Sequence, residues 1–233
     1  MVLYESVILV LTFLFLNLPV FYSLYIHIFW RYNIFARLSI FIAYWTAAFY
    51  TYEFIPFIGV LALLLVVHCR EEKQVMIRDI NIWHFSFRDF FLTVIGAVVF
   101  KALINQLNIL YVNIISAYSE LQLEPQEIVQ EFATDDFFYK LMLFLMVVIM
   151  APFVEEYVFR YFLYDRLLLP RMPVFAAAVI SSAFFTLLHF NMSGVPTFFG
   201  LGLFCTYMYE RKGYYGAVVA HIVSNLATAV LLM

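Results

Sequence analysis

The residues of this chain best able to do chemistry stand where the surrounding sequence is least polar. Glu155 and Glu156 sit side by side in APFVEEYVFRYFLYDR, with Arg160 close behind. His189 nearly ends the apolar string FFTLLHF, and His221 and Asn225 lie in GAVVAHIVSN. On a helix Glu156 and Arg160 are i and i+4, share a face and can pair; His221 and Asn225 share a face for the same reason. Glu155 is turned about 100° from Glu156 and keeps no local partner. A carboxylate beside an imidazole can hold a water molecule and take its proton. A second imidazole and a carboxamide can donate N–H groups to a developing oxyanion. Together these are parts for amide hydrolysis without a serine or cysteine nucleophile; Ser181, Ser182 and Ser224 read as helix-packing serines. Zinc is the rival chemistry, since two His and one Glu make a catalytic zinc set. H-E-x-x-H is absent, and the expectation is a site with no metal and no cofactor.

The elements that carry these groups are set by composition. Of the 233 residues 66% are hydrophobic and only 12% charged, and the mean hydropathy is +0.94. Soluble domains are roughly 45–50% apolar and about 25% charged. The chain has too little polar surface for a water-soluble globule and is expected to be an integral membrane protein. The net charge of −3, without a basic run, excludes a nucleic-acid partner. Cys69 and Cys205 fit neither a disulfide framework nor a C-x-x-C metal site.

Apolar stretches divide the chain into about eight spans: Ser6–Trp30, Leu38–Tyr52, Phe54–Cys69, Phe90–Ser116, Tyr139–Val154, Met172–Phe190, Pro196–Tyr209 and Gly213–Met233. All basic residues except Lys101 and Lys140 then fall on one side, in 31–37, 70–88, 160–171 and 211–212. The opposite side holds Glu120, Glu124, Glu127, Glu131, Asp135 and Asp136. The positive-inside rule makes the basic side cytoplasmic and favours a hairpin, not one kinked span, over 38–69. The 70–89 segment reads as an amphipathic interfacial stretch. The acidic loop reads as a solvated segment with a short helix after Pro125. The first apolar stretch reads as a retained anchor, not a signal peptide.

Depth ties the chemical groups together. Glu155 and His189 flank a helix break at Pro170–Pro173 at about 22–24 Å each, so antiparallel helices bring them level. His221 reaches that level if the first hairpin projects about 10 Å beyond the membrane on the basic side. The groups are expected to converge inside the bilayer, in a site open toward the cytoplasm.

EEYVFR, FTLLH and HIVSN resemble the E-E-x-x-x-R, F-x-x-x-H and H-x-x-x-N signatures of the CAAX protease and bacteriocin-processing (CPBP, Abi) family. The resemblance implies an all-α, polytopic membrane helix bundle and a glutamic-type intramembrane endopeptidase. It implies Glu155 as general base, His189 as its partner in activating water, and His221 and Asn225 as the oxyanion hole. Glu156 and Arg160 would support the site, and Phe185 would pack. One membrane domain is expected over 1–233, with variable spans in 1–137 and the family-like core in 138–233. The partners expected are the lipid bilayer and a membrane-associated peptide or protein substrate. The Phe/Ile-rich, Gly-poor composition suits a bacterial cell membrane. Two other functions remain open on the sequence. One is a non-enzymatic bacteriocin self-immunity or adaptor protein. The other is a small transporter with Glu155 and Lys101 in a proton path.

Overall fold

The computed structural model describes residues 2–51, 54–69, 85–118 and 136–232. Helix accounts for nearly all of them, and no strand occurs among the described residues. The helices are α1 (Val2–His27), α2 (Ile34–Thr51), α3 (Phe54–Cys69), α4 (Phe87–Tyr118), α5 (Phe137–Leu168), α6 (Val174–Leu187) and α7 (Val195–Leu232). The amphipathic reading of 70–84, the acidic-loop helix after Pro125 and the Cys69 side chain lie outside what is described.

Short polar residues start these helices. Asn33 Oδ1 accepts from the Ala36 amide at 2.9 Å. Ser86 and Asp89 cap α4 reciprocally: the Asp89 amide donates to Ser86 Oγ at 3.1 Å, and the Ser86 amide donates back to Asp89 Oδ2 at 3.3 Å. Asp136 Oδ1 accepts from the amides of Phe138 and Tyr139 at 2.9 and 3.1 Å. Pro173, extended at ψ 148°, separates α5 from α6 as the Pro170–Pro173 break predicts.

By length and composition α1 (Leu9–His27), α2, α4 and α5 are long and apolar enough to cross a membrane; Phe54–Val66 and Val174–Leu187 are shorter apolar helices. The outer faces match that setting. Val98, Val99, Leu103 and Leu107 of α4 are each more than half exposed, a surface a water-soluble protein would bury. The inner face of α4 carries buried Ala97, Lys101 and Ile104. The core forms around α5, where Val154, Tyr157, Val158 and Phe159 pack with Val20, Val60, Phe185, Cys205 and Ala217 of the other helices.

One boundary differs from the sequence expectation and another is borne out. The spans expected at 196–209 and 213–233 are the two arms of α7, separated at Gly213, whose φ of 71° and ψ of −169° suit glycine alone; across that turn Cys205 Sγ lies 3.8 Å from Ala217 O. Arg211 and Lys212 come just before this turn between the two arms, and Lys212 is ion-paired with Asp89 at the start of α4. The span expected at 139–154 continues as helix through the charged patch to Leu168. It can do so because Glu156 and Arg160 neutralise each other inside the bundle.

Candidate active site

The turn that carries the two glutamates is framed by looser helix. In α5, residues Leu145–Met150 and Tyr157–Leu168 are wound as π-helix, and Ala151–Glu156 between them is α-helical. Such widening recurs at functional sites, and Pro152 shows how it is held here. The Ala151 amide reaches back to Met146 O. The next residue, Pro152, has no N–H to offer. Val147 O is therefore left without a helical partner, and Asn225 Nδ2 donates to it at 2.9 Å. Two more side chains donate to carbonyls of α5: Tyr214 Oη to Phe153 O at 2.6 Å and Ser181 Oγ to Phe159 O at 2.8 Å.

Glu156 is wholly buried. Its Oε2 lies 3.1 Å from Arg160 Nε, and its Oε1 lies 2.7 Å from His221 Nδ1. Arg160, also wholly buried, donates from Nη2 to Gly202 O at 3.1 Å. Its guanidinium stands 4.7 Å from the centre of the Phe185 ring. Gly202 is required there, because a Cβ would lie 2.8 Å from Ser182 Cβ where α6 crosses α7. Since a carboxylate only accepts, Glu156 holds a proton on His221 Nδ1 and turns Nε2 the other way. That nitrogen lies 3.6 Å from Glu155 Oε2, whose side chain keeps 14% of its exposure.

His189 follows the C-terminus of α6. Its Nδ1 lies 2.7 Å from Phe185 O, so it donates there and presents Nε2 elsewhere. The ring is stacked on Phe198 at 4.0 Å and tilted against Phe185 at 4.5 Å. The following residue, Phe190, takes φ 45° to turn the chain off the helix, a left-handed conformation costing a non-glycine residue roughly 1–2 kcal/mol.

A cavity of about 500 Å³ collects these groups. Glu155, His189, His221 and Asn225 all line it, together with Thr12 of α1 and Lys101 and Asn108 of α4. The sequence-derived set thus shares one chamber. Glu156 and Arg160 do not line it and sit behind His221. His221, not His189, is the imidazole in ion-pair range of Glu155. Residues Asn191, Ser193 and Gly194, between α6 and α7, also line the chamber. They follow the end of α6 remote from Arg171 and Pro173.

Sequence reasoning missed Pro152 and Asn108 in this arrangement, expected Phe185 only to pack, and singled out Lys101 only for a transporter. Pro152 pairs functionally with Asn225, and its only signal was a proline inside an otherwise helical string. Phe185 is a plate shared by His189, Arg160 and His221, the last at 5.7 Å between ring centres. Asn108 had no signal beyond being polar inside a span.

Among the described residues the donors with metal-ligand spacing are Glu156, Cys205 and His221, not Glu155 with the two histidines. All three are already engaged: Glu156 by Arg160, His221 Nδ1 by Glu156, and Cys205 Sγ by Ala217 O at 3.8 Å. A cation there would meet the Arg160 guanidinium, so these residues fit a metal poorly.

No curated protein and no solved structure matches the chain. The residues from α5 to most of α7, 137–227, which supply Glu155, His189, His221 and Asn225, match the family described as type II CAAX prenyl endopeptidase Rce1-like, the CAAX protease family that the three motifs resemble.

Proposed function

We propose that this chain is an intramembrane endopeptidase that hydrolyses a peptide bond of a membrane-associated protein or peptide precursor. The carrying observation is the single chamber into which Glu155, His189, His221 and Asn225 all face. In this reading a water molecule is held between Glu155 and His189. Glu155 takes its proton as the oxygen adds to the substrate carbonyl carbon. The resulting oxyanion accepts from the second amide hydrogen of Asn225 and from Nε2 of His221 in its protonated form. The carbon–nitrogen bond then breaks, and the proton held by Glu155 passes to the departing amine. Glu156 and Arg160 touch no reacting atom; they are positioning residues that fix the ring of His221. The scheme uses no metal step and no covalent intermediate.

The chamber is large enough for several residues of extended peptide. The description of the matching family makes a prenylated C-terminal peptide one substrate class to try. The protein is integral to a membrane, and a bacterial cell membrane is the proposed location.

The test compares peptides released by cells carrying the wild-type protein or Glu155→Gln at matched membrane levels. Specific fragments are expected to vanish in the variant, and their ends to identify the cleaved bond. Identical fragment sets, together with an effect of deleting the whole gene, would overturn the peptidase reading in favour of a non-catalytic adaptor or immunity protein.

A further inference from the structure

Lys101 is a cation in the wrong place for a structural lysine. It lies near the middle of α4, about 21 Å along the axis from the first residue. A lysine inside a span normally runs its stem outward and leaves its ammonium at the headgroups. Here the outward positions belong to Val98, Val99 and Leu103, and Lys101 is 8% exposed on the inner face with Ala97 and Ile104. The helix is seated firmly in that orientation. Phe100 stacks on Phe204 at 4.4 Å, and a Cβ on Gly200 would lie 2.6 Å from Ile104 Cδ1.

The ammonium group makes no ion pair or hydrogen bond with any described residue, although Lys101 lines the same chamber as Glu155. The other acid of that turn, Glu156, is already matched by Arg160. A buried cation without a partner is costly, and such a group in a span marks a path or a binding site. Asn108 lies two turns further along the same stripe of α4 and lines the same chamber. Its Oδ1 is buried and has no hydrogen-bond partner among the described residues. One ammonium and one carboxamide about 10 Å apart along α4 therefore border the chamber without partners among the described residues.

We propose that Lys101, assisted by Asn108, is the specificity subsite of the chamber and recognises a carboxylate of the peptide substrate. The ammonium group offers three donors to that carboxylate, and Asn108 borders the neighbouring backbone. The carboxylate has two sources, a free chain terminus or an acidic side chain. The inference rests on the peptidase reading, because it names what that site selects.

The experiment measures binding and cleavage separately on full-length protein in lipid nanodiscs. The probe is a pool of fluorescent, membrane-partitioning apolar peptides in three forms: free carboxyl terminus, C-terminal amide, and C-terminal amide with one glutamate near the end. Binding is read with Glu155→Gln, which cannot turn the pool over. The expected result is about 10- to 100-fold tighter binding of one carboxylate form over the plain amide, the range of a charge-assisted hydrogen bond. The form preferred identifies the source. Lys101→Met in the same background is expected to abolish the preference while leaving amide binding within about twofold, and Lys101→Arg to retain part of it. Equal binding of all three forms by Glu155→Gln overturns the proposal without requiring any change at Lys101. So does a preference that survives Lys101→Met. Cleavage by the wild-type protein is scored on the same pool. Carboxylate preference without Glu155-dependent cleavage removes the peptidase reading and leaves the subsite standing.

Discussion

Asn225 has two duties in this arrangement, and a double-mutant cycle with Pro152 separates them. Its Nδ2 group satisfies Val147 O, which Pro152 leaves unpaired. Asn225→Ala strips that carbonyl of its donor and is expected to cost ~1–2 kcal/mol, the lower part of the range for an unsatisfied group because the cavity borders it. Pro152→Ala restores an N–H five residues beyond Val147, in π-helical register with its carbonyl. In that background Asn225→Ala should cost under ~0.5 kcal/mol, a coupling of about 1 kcal/mol and well within the range for contacting residues. Reversible unfolding in mixed micelles, followed by tryptophan fluorescence, measures all four corners of the cycle. If Asn225 also donates to the oxyanion, the double variant recovers stability but not turnover, which stays about 10²–10³-fold down, the usual loss for one such donor. An equal stability cost of Asn225→Ala in both backgrounds would refute the reasoning about Pro152.

Other expectations follow from the same geometry. Glu156→Gln leaves Arg160 buried and uncompensated and should lose ~3–5 kcal/mol of stability, while Glu155→Gln melts close to wild type; thermal unfolding in detergent compares them, and equal losses would contradict the assigned roles. Gly213→Ala places a side chain at φ 71° and should destabilise by ~1–3 kcal/mol; unchanged melting would show that the kink relaxes freely. With Cys69 and Cys205 replaced by alanine, cysteines introduced at Ser193 and Arg211 flank the first arm of α7, which rises about 24 Å from Val195 to Arg211. A membrane-impermeant thiol reagent should reach them from opposite faces, and labelling of both from one face would exclude the assigned topology.

How much of this was readable beforehand depended on whether a residue's partner was near in sequence or far. Glu156 with Arg160, and His221 with Asn225, are separated by one helical turn, so period alone puts each pair on a face. The division of this region into α2 and α3 matches the boundary read between Tyr52 and Phe54, and the charges of 31–37 and 70–88 were the ground for expecting a hairpin there. The Pro170–Pro173 break was legible because proline ends helices. The pairing of Glu156 with His221 was not, since it joins residues 65 apart through packing of α5 on α7. The π-helical turns were equally hidden, because they arise when Tyr214, Ser181 and Asn225 supply donors from other helices. Gly213 was legible as the start of a new span, because its non-helical backbone separates the two arms of α7.

The polar contacts between α5 and α7 act together as the rungs of a truss. Along about 27 Å of α5 they run from Val147 with Asn225, through Phe153 with Tyr214, Glu156 with His221 and Arg160 with Gly202, to Tyr164 with Glu210 and Asp165 with Tyr209. They engage both arms of α7 on either side of Gly213. Sliding one helix past the other would load several of these bonds at once, in surroundings with little water to replace them. The seams against α1 and α4 are of a different kind, made of ring contacts such as Phe15 with Phe159 and Phe100 with Phe204. Such seams part and reseal without stranding a polar group. Because Asp89 and Lys212 pin the start of α4, any parting there is a pivot, widest at the far end of the helix. The bundle is thus stiff where Glu155, His189, His221 and Asn225 share a chamber and compliant where, on the proposed peptidase reading, an apolar substrate would enter between helices.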